Sequence, residues 1–271
     1  MSGHNAILGR KGDLCVRLAR AREEIEAAQR LRFKVFYQEL SAIADVSTGG
    51  EGTDVDRFDD FCDHLIVVRS APAHQPDPIM LQDGELVGTY RLMRQEMAAR
   101  LGGFYTGDEF DIGPMLAAHP DCHFLELGRS CVLKPYRTKP VLELLWQGIW
   151  NYVRNHNVDV MFGCASFEGT DPDVHAAALT FLAHDCGAPP EWRVRALPSR
   201  YVDMNRLAAA PDPKQALRTL PPLIKGYLRL GCYIGDGAVI DTAFNTLDVL
   251  IILPVAAINK RYFTHFGAPN E

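Results

Sequence analysis

"LELGRSCVLKPYRTKPVLELLWQGIWNYV", residues 125–153, decides the fold. It opens as an apolar strand, passes through a tight basic turn between Pro135 and Pro140, and continues as a long apolar helix. Strand–turn–helix units often hold phosphate on bare backbone amides at the helix N-terminus. This turn contains no glycine and offers Lys134, Arg137 and Lys139 instead. The partner it suits is one that charged side chains recognise better than a glycine cradle does.

On the N-terminal side, residues 20–40 carry Ile25, Ala28, Leu31, Val35 and Phe36 at three- and four-residue spacing, with Glu23 and Glu24 at the start. This pattern predicts an amphipathic helix. An acidic, glycine-bearing loop over 41–60 follows, then a strand at 64–68 (HLIVV). A proline-rich connection over 70–84 leads to a second strand at 84–93 (GELVGTYRLM), paired with the first as a hairpin. Residues 94–122 read as polar and poor in helix. On the C-terminal side the pattern predicts a buried strand at 158–167, a helix over 171–185 with Asp171 as cap and Pro172 at its first position, and a strand at 192–197. From Pro221 onward a short helix is followed by strands. The expected architecture is α/β, a mixed sheet flanked by helices, in one domain of 271 residues with a core over about 20–200 and a C-terminal extension over about 201–271.

Composition fits a packed globular chain, with 47% hydrophobic and 23% charged residues. The seven cysteines are odd in number and form no CxxC pair, as expected of reduced thiols rather than a disulfide framework or a zinc site. The first fifteen residues lack the apolar run of a signal peptide. The longest apolar run, 249–258, contains Pro254 and is half the roughly 20 residues a spanning helix needs. A cytoplasmic protein is expected, with peripheral contact at the inner membrane compatible with this pattern. A net charge of −6 argues against nucleic acid as a partner. The charge is unevenly spread: residues 38–63 hold eight Asp/Glu and one Arg, net −7, whereas residues 1–34 hold eight Lys/Arg and four Asp/Glu, net +4.

Four charged features stand where apolar residues are expected. Arg32 falls beside Leu31, Val35 and Phe36, where a snorkelling arginine is the simplest account. Asp54, Asp56 and Asp59 crowd just before a strand. A calcium loop does not fit them, because Phe58 and Asp59 occupy the fifth and sixth positions, where an EF-hand needs a ligand and a glycine. Arg91 lies inside an apolar strand and needs a partner or a ligand. Glu126 and Arg129 sit in the strand that opens the deciding stretch. Strict alternation puts them on opposite faces, and a bulge near Gly128 would bring them to one. No GxSxG, HExxH or phosphate-loop lysine motif is present, and His64, His156 and His175 read as structural or exposed. A nucleophile and a metal are both unassigned, so any catalysis would proceed by positioning two substrates and moving a proton.

Taken together, Arg32 with Val35-Phe36, the Asp54/Asp56/Asp59 run, Arg91 after Gly-Thr, and Glu126/Arg129 resemble the signature of acyl-homoserine-lactone synthases. FGCASFEGTDP at 162–172 and the segment 220–252 are more similar still to ornithine N-alpha-acyltransferases, over roughly residues 20–260. The resemblance implies the acetyltransferase (GNAT, acyl-CoA N-acyltransferase) fold and transfer of a 3-hydroxyacyl chain from acyl carrier protein to the α-amine of L-ornithine, giving lyso-ornithine lipid. It implies no cofactor of the enzyme's own, the 4′-phosphopantetheine arriving on the carrier protein. Glu126 would be the base. Arg32, Asp54, Asp56, Asp59, Arg91 and Arg129 would bind the acceptor, the carboxylates holding its cation. Lys134, Arg137, Thr138 and Lys139 would meet the donor's phosphodiester and the acidic carrier surface.

Two departures stand out. The tryptophan that the lactone synthases carry after the Arg–Phe helix is replaced by Ser41-Ala42-Ile43-Ala44. The helix over 171–185 has no tyrosine to act as an acid, although a thiol of pKa about 8.5 leaves without much help. The alternatives are an acyl-homoserine-lactone synthase, which consumes S-adenosylmethionine, and an inactive carrier-protein-binding module.

Overall fold

The computed structural model describes residues 7–40, 42, 52–70 and 77–258. Ser41, Ile43 and Ala44, most of the acidic loop up to Glu51, and residues 71–76 of the proline-rich connection lie outside them. In chain order the elements are β1 (Ile7–Lys11), β2 (Leu14–Leu18), α1 (Arg22–Phe33), β3 (Asp63–Arg69), β4 (Met80–Leu81), β5 (Gly84–Arg94) and α2 (Gln95–Leu101). There follow β6 (Phe110–Asp111), α3 (Gly113–Ala118), β7 (Phe124–Val132), α4 (Lys139–Asn155), β8 (Val160–Glu168), α5 (Ala176–Asp185), β9 (Arg195–Ala196) and β10 (Tyr201–Val202). The last are α6 (Pro213–Thr219), α7 (Pro222–Leu230), β11 (Tyr233–Asp241) and β12 (Thr246–Pro254). Internal packing divides the chain into two compact units, Met1–Met97 with Leu127–Asn157, and Ala98–Glu126 with Val158–Pro269.

In the first unit β1, β2, β3 and β5 form a continuous antiparallel run, and β7 follows β5 in the strand order. β3 is buried along its whole apolar length because helices cover both of its faces, α1 on one and α4 on the other. Ala27, Ala28 and Leu31 of α1 lie with Ile66, Val68, Leu86, Cys131 and Leu133 in one core cluster. α4 approaches closely at Gly148, where a Cβ would stand 2.7 Å from a methyl of Val16 and 3.0 Å from one of Leu65. Beyond Phe33 the helix widens into a π turn over Lys34–Glu39, so the expected helix over 20–40 is two segments.

In the second unit β12 runs antiparallel to β8 over nine residue pairs, and β11 is antiparallel to β12. β8 is parallel to the start of β7 through Phe124–Glu126, and β9 is parallel to β11. The sheet is therefore mixed. The apolar run at 249–258 is mostly β12, a sheet strand buried from Leu247 to Pro254.

Three expectations need correction. Residues 94–122 contain α2, β6, α3 and a 3-10 turn at Tyr105–Asp108. The helix expected from Asp171 begins at Ala176, because residues 172–175 form turns in which Asp171 Oδ1 accepts the N–H of Asp173 at 2.9 Å. The strand expected at 192–197 shortens to Arg195–Ala196.

Candidate active site

The first unit gathers the out-of-place charges into one network. Arg32, on the buried face of α1, lies in a bidentate pair with Asp59 at 2.8 Å through each nitrogen, and its Nε donates to Asp54 Oδ2 at 2.7 Å. Its Nη2 also donates to the Asp54 carbonyl. Arg91 Nη1, from β5, reaches Asp56 Oδ1 at 2.6 Å and Asp59 Oδ1 at 3.0 Å. Arg129 Nη2 reaches Asp56 Oδ2 at 3.0 Å, with its Nε 3.3 Å from Asp54 Oδ2. Gln29 Nε2 donates to Asp59, and the Tyr37 hydroxyl donates to Asp54. Arg32 is thus a network member and not a snorkelling surface residue.

Three arginines meet three aspartates, so the predicted acidic pocket is charge-balanced by the protein itself. Burial would raise the Asp59 carboxyl, yet the hydrogen bonds and charge of Arg32, with Arg91, hold it well below the usual carboxylate range. Asp56 is likewise lowered against its burial by Arg91 and Arg129. Burial pushes the neighbouring His64 imidazole down, and its Nε2 lies 3.0 Å from the Asp59 carbonyl. Arg32, Asp54 and Asp59 are at most 2% exposed, whereas the side chains of Asp56 and Arg129 retain 18% and 11% exposure. These two form the water-facing edge of the network.

Arg129 adopts φ +50. For a residue with a Cβ such a conformation costs of order 1–3 kcal/mol, and here it accompanies the two contacts to Asp54 and Asp56. The irregularity expected near Gly128 therefore falls on Arg129.

The basic turn is present in the same unit. Lys134–Tyr136 form a 3-10 turn, and Thr138 is the N-cap residue of α4. The Tyr136 hydroxyl donates to buried Glu85 at 2.6 Å, which fixes the turn on β5. Arg137 pairs with Glu39 at 2.6 Å and donates to the Val132 carbonyl. Lys139 lies 3.5 Å from Glu143, and among the described residues Lys134 forms no ion pair. The turn thus presents two exposed lysines and one arginine that is already engaged.

In the second unit Glu126 is the last residue of the parallel β7–β8 ladder. Its carboxylate accepts the backbone N–H of Thr106 at 2.7 Å and of Tyr105 at 3.2 Å. These amides belong to the 3-10 turn that leads into β6, and they fix the carboxylate's direction. A buried group that sequence reasoning missed lies in this unit. Cys164 Sγ donates to Glu109 Oε2 at 3.1 Å and lies 3.9 Å from Thr106 Oγ1. Arg200 Nη2 is 3.4 Å from Glu109 Oε1. Burial first, then the charge of Asp248, pushes Glu109 up to about 7. Burial, Glu109 and Asp248 raise the Cys164 thiol well above its ordinary value.

Glu109, Cys164 and Asp248 place one ligand atom each within 4.8 Å of one another, a spacing a divalent ion could use after displacing the thiol proton. The signal for Asp248 was in the sequence: an acid between Leu247 and Val249 in an apolar strand, the same anomaly that singled out Arg91. Glu109 and Cys164 carried no comparable signal.

Comparison with known proteins defines the class. Residues 31–147 match the family model described as Acetyltransferase (GNAT) domain. The structure of FeeM, described as an N-acyl amino acid synthase from uncultured soil microbes, covers 92% of this chain and 97% of its own at a TM-score of 0.50 and 12% identity, a likeness of fold. This protein is an acyltransferase of the GNAT fold.

Full-length relatives are more specific. The L-ornithine N(alpha)-acyltransferase of Brucella abortus strain 2308 is 52% identical over 98% of this chain and 93% of its own. That of Rhizobium meliloti strain 1021 is 49% identical over 97% and 87%. The chain belongs to the L-ornithine N(alpha)-acyltransferase family.

Proposed function

We propose that the enzyme transfers a 3-hydroxyacyl chain from acyl carrier protein to the α-amine of L-ornithine, yielding lyso-ornithine lipid. The observation that carries this reading is the likeness, along nearly the whole chain, to relatives named for acylation of that amino acid. The amine nitrogen attacks the thioester carbonyl carbon, a C–N bond forms and the C–S bond breaks. The ammonium's first proton passes to Glu126, directly or through water. Its second leaves with the departing sulfur as a thiol. Glu126 suits the first step because two backbone amides hold its direction while it remains an acceptor.

Within the first unit, Asp56 and Arg129 are the network members with access to solvent, one for a cationic and one for an anionic end of an amino acid. Arg32, Arg91, Asp54 and Asp59 brace that pair from behind. Lys134, Lys139 and the start of α4 after Thr138 meet the donor's single phosphodiester and acidic carrier surface. Arg137 contributes once it exchanges Glu39 for the donor.

Donor exchange tests the reading. With the purified enzyme and ornithine, a 3-hydroxyacyl carrier protein should outperform the same acyl group on coenzyme A. Its apparent KM should climb as the Debye length falls from about 10 Å at 0.1 M salt to about 3 Å at 1 M. Lys134→Glu should reproduce the high-salt KM at low salt. Equal use of the coenzyme A thioester, indifferent to that reversal, would remove the carrier protein from the account.

A further inference from the structure

Among the described residues, no helix is long and apolar enough to cross a membrane. The second unit nevertheless concentrates two kinds of surface feature in one segment. Residues 206–230 carry five Lys/Arg and one Asp, net +4, in a chain whose net charge is −6. Lys214 and Arg218 lie on α6, whose single buried residue is Ala216. On α7 the buried residues are Ile224 and Tyr227, which leaves Arg229 exposed and Lys225 half-exposed. Lys225 Nζ donates to the Arg218 carbonyl at 2.9 Å, which brings the α7 ammonium to the C-terminal end of α6. Among the described residues Lys214, Arg218, Lys225 and Arg229 form no ion pair with a carboxylate.

The apolar feature is independent of charge. Among the described residues of this unit, the large apolar side chains left exposed are Val174 at 74%, Leu207 at 40% and Leu217 at 39%. Arg206 Nε donates to Asp173 at 3.0 Å, tying the segment that carries Leu207 to the one that carries Val174. Thr180 Oγ1 of α5 accepts the N–H groups of Arg206 and Leu207 at 3.1 and 3.2 Å, which fixes Leu207 in place. Leu217 lies on α6, which packs against α5. Leu207 and Leu217 thus fall in the same segment as the cations, with exposed Ala208, Ala209 and Ala210 in the chain after Leu207, and the Arg206–Asp173 bond ties the neighbour of Val174 to that segment.

We infer that this α6–α7 face docks the enzyme on an anionic lipid surface. Interfacial segments place apolar side chains at the acyl boundary and Lys/Arg among the headgroup phosphates. Each cation near an anionic leaflet adds about a five-fold gain in binding. Apolar side chains near cations also suit a protein–protein contact, so an acidic protein is the competing occupant that the test separates from a lipid surface. The inference goes beyond the proposed reaction and holds whichever amine is acylated.

The test is sedimentation of the full chain with vesicles of pure phosphatidylcholine, and with vesicles that are roughly one-third phosphatidylglycerol. The protein should bind the anionic vesicles and lose them as salt rises. Lys225→Glu with Arg229→Glu should weaken that binding about ten-fold or more, with the same helical circular dichroism and the same turnover of a short-chain soluble donor. Leu217→Ser, at an exposed position that leaves the charge intact, should weaken it too. Equal binding to both vesicle types, no binding to either, or unchanged vesicle binding by the charge-reversed variant would each overturn the inference. A rise in the carrier-protein KM of that variant with vesicle binding intact would make the face a protein-docking site instead.

Discussion

Glu126 and Glu109 are both buried carboxyls of the second unit, and their surroundings differ. Glu126 accepts two backbone amides and points in a fixed direction, whereas Glu109 faces Asp248 and a thiol, and burial raises it to about 7. Replacing Glu126 by Gln keeps its shape but removes the proton acceptor. Turnover should fall about 10²–10⁴-fold in a variant that still folds, and near-wild-type turnover would end its role as base. Some melting temperature should be lost, because the Gln side-chain NH2 faces one of the two backbone N–H groups the carboxylate accepts.

Glu109 makes a thermodynamic prediction. Its folded-state pKa lies above the unfolded value, so its contribution is fully present below the ordinary carboxylate pKa and is lost as pH rises through about 7. Denaturant unfolding between about pH 5 and 8 should show stability falling as pH rises in the wild type, and a flatter profile in Glu109→Gln.

Single residues were legible in the sequence where charge broke an apolar pattern. Arg32, Arg91 and Glu126 were found that way, and Asp248 carried the same mark. What could not be read was the pairing. Nothing along the chain says that each aspartate of the 54–59 run has an arginine from α1, β5 or β7 against it, because the partners come from segments up to 75 residues apart. The acidic run therefore promised a site for a cation, and its Asp54, Asp56 and Asp59 each meet an arginine instead.

At the scale of elements, α1 is held to the loop before β3 by charge as much as by its apolar face. Truncating one member of a buried ion pair leaves the other charged and unpaired, at about 3–5 kcal/mol. Arg32→Met should cost the fold an amount of that order, measured by chemical unfolding, because Asp54 and Asp59 both lose their main partner. The network's own pH dependence runs opposite to that of Glu109. Asp56 and Asp59 are depressed, so their stabilisation is present above the ordinary carboxylate range and is lost only as pH falls through the lowered values.

α4 gives a packing prediction. Gly148→Val puts methyls where Val16 and Leu65 already stand, and overpacking of that kind costs about 1–3 kcal/mol. Wild-type stability for the variant would show that α4 is free to lift.

The long periodic elements β3, β5, β7, α4, β8 and α7 were legible because their apolar spacing persists over many residues. The hairpin β1–β2 was not, since five-residue strands give little periodicity, although Gly12 at φ +61 supplies the turn between them. The start of α5 was misplaced for a different reason. Asp171 and Pro172 do suit a helix start, but Asp171 spends its side chain on an Asx-type turn.

At the scale of the whole molecule, charge is sorted along the chain. The aspartates at 54, 56 and 59 are balanced by arginines, while in the segment 206–230 Asp173 offsets Arg206 and Lys214, Arg218, Lys225 and Arg229 remain, with exposed apolar neighbours. Two basic surfaces result, the turn at 134–139 in the first unit and α6–α7 in the second. Salt should affect them separately, through the donor KM for one and vesicle binding for the other.

Acyl transfer to the α-amine of ornithine is the central claim, and tandem mass spectrometry of the product tests it most directly. Purified enzyme, 3-hydroxyacyl carrier protein and an equimolar mixture of ornithine and norvaline, its uncharged analogue, should yield one major product. The account predicts 3-hydroxyacyl-ornithine whose fragments retain the free side-chain amine, placing the acyl group on the α-nitrogen. A product acylated on the side-chain amine, equal acylation of norvaline, or a lactone formed only when S-adenosylmethionine is supplied would contradict it.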